Sequence, residues 1–477
     1  MATSNPMITQ HLLTEGSVLY STPLGNILIG CPPEILKVMM NKHAPMPDTI
    51  VIPGTLHKFN SSQVCLEFPF YHFLFIQQGI ARGKKFKILA KKTICEKLSE
   101  LLRITLLGPS LDEILKVESR LKIPKKLDKN KIKQILAETE CLAPKDKNGH
   151  SYRLDEMVEF VPFEIGDKKT IYNSYKKYPE VTIKRKDEDE FILNCDRELK
   201  CKLNVTKPQA PVYKIKGEKI SESESTSKSI FSVRCLGSSE GFDPTKPANG
   251  FLLHFNGKWI LWDCPAFLHE HFSEIGLSLE DIDGIFVSHV HEDHLDIMES
   301  IGTKKKLTIF TSPEIYHCMI LKLMAIMDCD YDSALTYYDF HPVYVNKPFE
   351  LFNATFEVFY SSHAIPALGL RLSVLHKKKE STLFFSGDNL SKRMITKLSE
   401  MGVYSDERIK EIESTYKIDS GFDISFVDAG GGAIHGDPED YAECTGKIIY
   451  MHTGKTVSNI PQKHGLLKPG QRFIIHK

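Results

Sequence analysis

The chain has no excess of charge of either sign. Its 477 residues carry 61 Lys plus Arg against 61 Asp plus Glu, so the formal net charge is zero and the pI is near 7.3. That balance excludes a protein-wide pull toward a polyanion, and any such partner has to be met by a local patch. Long apolar runs are also missing. The longest, Phe68 to Ile76, is broken by Pro69 and His72 and falls well short of the roughly 20 residues that a membrane span needs. The opening residues Met1-Ala2-Thr3-Ser4-Asn5-Pro6 lack a basic start and an apolar core, so no secretory leader is expected. Eleven cysteines are scattered without a C-x-x-C pair, which fits reduced thiols better than a disulfide framework or a cysteine zinc site. These absences together predict a cytoplasmic protein with no membrane partner. At roughly 150 residues per domain, the length predicts two or three units.

Against these absences stands one dense cluster, His289-Val290-His291-Glu292-Asp293-His294, directly after the apolar run Ile285-Phe286-Val287. An apolar run of that kind reads as a strand feeding a loop. In an extended segment alternate side chains point the same way, so His289 and His291 can turn toward one ion while Asp293 and His294 turn toward a second. A lone histidine is more often a surface or core residue than a ligand, but imidazoles and a carboxylate at this density are a metal-binding pattern. Such donors suit zinc first, with manganese and iron as alternatives.

H-x-H-x-D-H after an apolar strand resembles the signature of the metallo-β-lactamase superfamily, and the Glu at its fourth position is similar to that of the nuclease branches. The resemblance covers about the last half of the chain. It implies an α/β (α+β) fold, an αββα sandwich, with a centre of two divalent ions. His289, His291 and His363 would hold the first ion, Asp293, His294 and His452 the second, and Asp388 in Ser386-Gly387-Asp388 would bridge them. Asp263, at the end of Ile260-Leu261-Trp262, matches the family's supporting carboxylate and would orient a ligand histidine. His435, beyond the run Gly430-Gly431-Gly432, is the candidate general acid for a leaving alkoxide. Asp293 is counted as catalytic alongside it. The glycine run could instead form a nest of N–H groups facing phosphate. The function implied is a metal-dependent phosphodiesterase acting on a cyclic nucleotide or another phosphodiester, RNA included, through a water shared by the two ions. Alternatives are a thioester or lactone hydrolase of the same fold, or a metal-bound scaffold without activity. No serine or cysteine nucleophile is called for. The resemblance also implies a homodimer.

The order of elements recurs. Gly25 to Pro32 parallels Gly257 to Pro265, Pro47 to Pro53 parallels Ile282 to Ser288, and Val181 to Asp196 parallels Leu370 to Asp388. These matches predict a tandem duplication: residues 1–206 as a degenerate copy, 207–228 as a linker of Pro, Ser and Glu, and 229–477 as the catalytic copy. In the first copy the ligand loop is replaced by Gly54-Thr55-Leu56-His57-Lys58-Phe59, whose lysine would repel a cation, so that copy is expected to bind no metal. The arrangement resembles the long form of RNase Z. The Lys-rich segment 121–150 is expected to be largely irregular, with one short helix at 131–138, and to be a solvated face.

Overall fold

The computed structural model describes residues 8–59, 61–225, 227, 230–416, 418, 421–454 and 460–476. The reading of Met1 to Pro6 lies outside the described residues. No helix among the described residues is long and apolar enough to cross a membrane, and all eleven cysteines are free thiols. The chain divides into two compact units. One comprises 1–103, 145–212 and 321–334, and the other 104–144, 213–320 and 335–477.

In the second unit, two seven-stranded mixed sheets stack face to face. The first runs Asp339–Pro342, Thr308–Thr311, Gly284–Phe286, Lys258–Trp262, Gly250–Phe255, Phe231–Gly237, Arg472–His476. Its first four strands are mutually parallel and the remaining neighbours antiparallel. The second runs Phe349–Leu351, Ala354–Tyr360, Leu368–His376, Lys379–Phe385, Ile424–Asp428, Ile448–Met451, Gly465–Leu466. Alternation along each strand sends one set of side chains into the seam between the sheets. There Phe251 meets Phe385 and Phe426 at ring-centroid distances of 4.8 and 5.1 Å, and Trp262 stacks on Phe385 at 5.0 Å. Each such ring, fully buried, contributes roughly 1.5 to 3 kcal/mol.

Helices cover the outer faces. Ile395 and Leu398 of helix Lys392–Glu400, with Ile412 and Tyr416 of helix Asp406–Tyr416, pack on Phe384, Val427 and Tyr450. Tyr316 of helix Pro313–Met327 stacks on Phe340 of the opposite sheet at 3.9 Å. The result is the αββα sandwich.

The first unit repeats this plan in reduced form. Strands Thr9–Thr14, Ser17–Thr22, Gly25–Ile29, Thr49–Val51, Phe86–Ala90 and Val158–Pro162 form one sheet in that order. The first three are antiparallel and the rest parallel, which is the order and direction of the six strands from Phe231–Gly237 to Asp339–Pro342. Its second sheet has four strands, Glu198–Lys202, Glu190–Asn194, Val181–Asp187 and Lys168–Tyr172, all antiparallel. Where the second unit adds the parallel strand Ile424–Asp428 beside Lys379–Phe385, the first adds the antiparallel Glu198–Lys202, and its sheet stops there.

Within 121–150 the one helix, Lys129–Leu142, is longer than the expected 131–138, and a further helix, Leu111–Leu121, precedes that segment. Helix Leu111–Leu121 starts at a capping box between Ser110 and Glu113, and helix Lys129–Leu142 starts where Asp128 accepts from the amides of Asn130 and Lys131. Each cap satisfies amide donors that the first turn leaves unpaired. Ile114, Val117, Ile132 and Ile135 are buried along the two helices, so apolar faces, and not the lysines, set their course. Both belong to the second compact unit.

Candidate metal centre

Six strands of the second unit end in polar side chains at their C-terminal ends, the edge at which open α/β sheets hold ligands. Lys258–Trp262 delivers Asp263 and Gly284–Phe286 delivers the loop His289 to His294. Ala354–Tyr360 leads to His363, Lys379–Phe385 to Asp388, Ile424–Asp428 to Asp428 and His435, and Ile448–Met451 to His452. Asp263 and His452 both adopt left-handed backbone, with φ of 59° and 58°, a conformation that costs energy away from glycine. Gly387 (φ 63°) is needed for close approach, since a Cβ there would stand 2.4 Å from the Leu368 carbonyl oxygen.

The side chains named from the sequence converge. His289 Nε2 lies 3.1 Å from His291 Nδ1, and His363 Nε2 lies 3.2 Å from the same atom. His452 Nε2 is 3.1 Å from Asp293 Oδ2. Asp388 Oδ2 sits among them, 3.3 Å from His294 Nε2, 3.6 Å from His452 Nε2, 3.7 Å from His289 Nε2 and 3.8 Å from His363 Nε2. Five groupings have donor atoms mutually within 4.8 Å: His289, His291 and His363; Asp293, His294 and His452; Asp388 with His289 and His294; His363, Asp388 and His435; and Asp428, His435 and His452.

Behind the donors, a ring of acceptors fixes four of the imidazoles. His294 Nδ1 donates to Asp263 Oδ2 at 2.8 Å, His363 Nδ1 to the Ile434 carbonyl at 3.1 Å, and His291 Nε2 to the Thr105 carbonyl at 2.9 Å. His289 Nδ1 donates to Ser288 Oγ at 2.9 Å, and that hydroxyl donates to Asp263 Oδ2 at 2.9 Å. In His289, His291 and His363 the outward nitrogen carries the proton and the nitrogen facing its neighbours is left with its lone pair, as ligation requires, whereas His294 bears a proton on its inward nitrogen as well, one that a cation has to displace. Burial pushes His291 down to about 3 and His363 down to about 4, and depresses His289 well below its ordinary value, so these three are neutral at physiological pH. Burial also works against the charged forms of His294 and His452, but the carboxylates of Asp388 and Asp293 prevail, raising His294 strongly and His452 to about 9. Asp388 Oδ1 is buried and has no hydrogen-bond partner among the described residues. A buried, unpaired carboxylate oxygen aimed into inward-facing imidazoles fits a pair of divalent cations.

His435 borders the cluster, its ring stacked on His452 at a centroid distance of 4.5 Å. Its Nδ1 donates to Asp428 Oδ2 at 3.0 Å and lies 3.7 Å from Asp388. With 14% of its side chain exposed, against 2% or less for His289, His294, His363 and His452, it faces solvent more than they do. The glycine run beside it does not form a free nest. The Gly430 amide donates to Asp428 Oδ1 and the Gly431 amide to the Gly436 carbonyl, so neither is left for a phosphate.

Three contributors went unread in the sequence. Asp428 accepts from Asn389 N, Gly430 N and His435 Nδ1 and ties the last two loops together; the pattern of Asp263, a carboxylate ending a buried strand, was the available signal. Thr105 acts through its backbone carbonyl and left none. Glu240, half-buried against Gly454, has its pKa raised by burial although the His452 and His435 charges oppose this. Its surroundings Gly237-Ser238-Ser239-Glu240-Gly241 formally match the spacing of a serine nucleophile elbow. Ser239 is instead fully buried and donates to the Pro247 carbonyl at 2.8 Å, at the start of a loop.

A sandwich of this topology, with H-x-H-x-D-H at the end of an inner strand, is the metallo-β-lactamase fold. Residues 231–413 match the family model described as Anti-Pycsar protein Apyc1. The chain is 29% identical over 181 residues to the cGMP-dependent 3′,5′-cGMP phosphodiesterase A of Dictyostelium discoideum, covering 36% of this chain and 20% of that protein. It is 27% identical over 248 residues to the cAMP/cGMP-dependent 3′,5′-cAMP/cGMP phosphodiesterase B of the same organism, covering 50% and 22%. The chain thus spans about a fifth of the length of each. Among solved structures, the metallo-beta-lactamase fold protein YhfI from Bacillus subtilis aligns at 16% identity and a TM-score of 0.38, covering 51% of this chain and 99% of that one.

Proposed function

We propose that the protein is a metal-dependent phosphodiesterase whose substrate is a cyclic nucleotide or a related small phosphodiester. The observation that carries the proposal is the gathering of five imidazoles with the carboxylates of Asp293 and Asp388, where Asp388 Oδ2 lies among the ring nitrogens and its Oδ1 is buried without a hydrogen-bond partner among the described residues. The substrate class is supported by the cyclic-nucleotide phosphodiesterases that the chain resembles in sequence. In this reading His289, His291 and His363 hold one cation, Asp293, His294 and His452 a second, and Asp388 lies between them. Two such ions would polarise a phosphoryl oxygen and lower the pKa of a shared water from 15.7 toward about 7.

The chain's own residues then do three things. Asp263, Ser288, Thr105 and Ile434 hold the rings so that no reorganisation is needed during turnover. Asp428 keeps the Nδ1 proton on His435. His435, whose pKa is raised because the Asp428 carboxylate outweighs the penalty of burial, is biased toward the protonated form that a general acid for the departing alkoxide requires.

The test is a panel of 3′,5′-cGMP, 3′,5′-cAMP, bis-p-nitrophenyl phosphate and a thioester, run beside elemental analysis. Cleavage of a cyclic nucleotide that is lost on chelation and recovered with zinc or manganese is the expected result. Turnover of the thioester alone overturns the substrate class, and bound metal without any turnover overturns the enzymatic reading. His435→Ala is expected to keep its metal content and lose roughly 10²- to 10⁴-fold in rate on alkoxide leaving groups, with a smaller loss on p-nitrophenolate. An equal loss on both would remove the general-acid role.

Metal uptake should release protons. At about pH 7.5 the metal-free protein holds His452 and His294 protonated, because both are raised above their ordinary value, and a cation has to displace those protons. Calorimetry in buffers of different ionisation enthalpy is expected to read roughly two protons released as both sites fill. Release should fade as pH rises through the folded-state value of about 9 for His452. The stability these two charged rings give the metal-free protein is fully present below about pH 6.5, their unfolded value, and is lost over the same rise. A buffer-independent heat at neutral pH would contradict this protonation pattern.

A further inference from the structure

The chain is neutral as a whole, yet one surface of the first unit is not. Strands Lys168–Tyr172, Val181–Asp187, Glu190–Asn194 and Glu198–Lys202 alternate so that Val181, Ile183, Phe191 and Leu193 turn into the core. The opposite face turns out over a concavity of about 1040 Å³. Five lysines, 168, 184, 186, 200 and 202, line it against Glu180, Glu190 and Glu198. The register puts Lys168 directly across from Lys184, Lys184 across from Ile192, and Ile192 across from Lys200. Three ammonium groups therefore share one cross-strand row roughly 14 Å long, at about 4.8 Å per strand.

Like charges set opposite each other weaken a sheet, so the fold gains nothing from this row. Lys202 pairs with Glu190, whereas Lys168, Lys184, Lys186 and Lys200 have no ion pair among the described residues. A second feature lies in the turn that joins strands Lys168–Tyr172 and Val181–Asp187, beyond their Tyr172–Val181 end. The turn Tyr175-Lys176-Lys177-Tyr178 is closed by reciprocal backbone bonds of 3.0 and 2.9 Å between its tyrosines, and the next two residues, Pro179 and Glu180, line the concavity. Tyr175 is 59% exposed.

We propose that this lysine row and its tyrosine turn form a docking track for a single-stranded nucleic acid. The lysines take the phosphates and the tyrosine ring takes a base, the pairing of charge and stacking by which single strands are held without sequence readout. The other anionic surfaces fit less well. Ile192 is the one apolar side chain at the outward positions of strands Val181–Asp187, Glu190–Asn194 and Glu198–Lys202. A lipid surface would need an apolar wedge to insert and a flat approach that a concave face denies. An acidic protein would want a buried aromatic centre, and here the aromatic stands at the rim. The track lies in the other compact unit from the metal centre, and the inference is independent of the reading of that centre.

The test is fluorescence anisotropy on the full chain with labelled oligouridylate and oligothymidylate, a duplex RNA, and phosphatidylserine vesicles as competitor. Salt-sensitive binding of either single strand is expected. K184E/K200E is expected to lose at least tenfold in affinity and to flatten the dependence on salt. Y175A is expected to weaken single-strand binding roughly five- to hundredfold and to leave duplex binding where it was. Both variants should hydrolyse bis-p-nitrophenyl phosphate at the parent rate, which shows that they are folded. No binding at low salt, binding indifferent to K184E/K200E, or full displacement by vesicles overturns the proposal.

Discussion

Asp388→Asn is expected to lower phosphodiester hydrolysis by roughly three orders of magnitude while the protein stays folded, a loss of about 4 kcal/mol of transition-state stabilisation. Asp388 Oδ2 lies within 3.8 Å of nitrogens from His289, His294, His363, His435 and His452. The two protonated rings, His294 and His452, are the largest influences holding this carboxyl well below its ordinary value against the opposing effect of burial. No other described carboxylate stands in both the first and the second donor grouping's reach. Asparagine preserves shape and one oxygen but removes the charge and puts an NH₂ where the unpaired Oδ1 now points. In the proposed two-cation centre the ions would then lack the anion that screens them from each other, so one site should empty. Elemental analysis is expected to fall from two metals toward one, with kcat reduced far more than KM is raised. Two tightly bound metals and near-parental kcat would sink the assignment of Asp388 as the shared ligand.

The metal centre was legible in the sequence to an unusual depth because its donors follow strand ends. Once Ile285-Phe286-Val287, Thr355 to Tyr360 and Thr382 to Phe385 are read as strands, the first titratable residues beyond each, past one or two serines, are His289, His363 and Asp388, and the structure gathers all three. The same logic reached His452, which follows strand Ile448–Met451. It failed for interactions that no strand announces. Nothing local to Thr105 says that its carbonyl will meet His291, 186 residues away, and nothing local to Glu240 says that it will lie against Gly454.

The fold was legible where hydrophobic period and turn chemistry agreed. The repeated order of strands came through because a three-residue parallel strand such as Thr49–Val51 is buried on both faces and therefore reads as an unbroken apolar run. The segment after Leu106 was harder. The lysines of 121–150 suggested a solvated stretch, and ahead of them the box Ser110-Leu111-Asp112-Glu113 was a helix-start signal in plain view. That these helices group with the second unit is a long-range outcome. It depends on Glu138, an acidic residue in the middle of an amphipathic helix, finding a partner far along the chain.

That partner gives the second large expected effect. Arg408 is 1% exposed and grips Glu138 with two bonds, Nε to Oε1 at 2.8 Å and Nη2 to Oε2 at 3.0 Å. The guanidinium also reaches the Tyr360 carbonyl at 3.0 Å and the Ser361 carbonyl at 3.4 Å, three and two residues before His363. Removing the guanidinium strands a buried carboxylate, so Arg408→Leu is expected to cost about 3 to 5 kcal/mol of stability, a large share of the roughly 5 to 15 kcal/mol that such units possess. Adding Glu138→Leu removes the stranded charge and should restore most of that stability, since a buried pair can be replaced by apolar groups at little net cost. The carbonyls of Tyr360 and Ser361 remain without their donor in both variants. The loop carrying His363 should then hold its ligand less firmly, and the double variant is expected to regain its denaturation midpoint yet bind cobalt more weakly than the parent, with altered visible bands. A double variant that recovers stability and cobalt affinity together would mean that Arg408 holds the helix alone and plays no part in positioning His363.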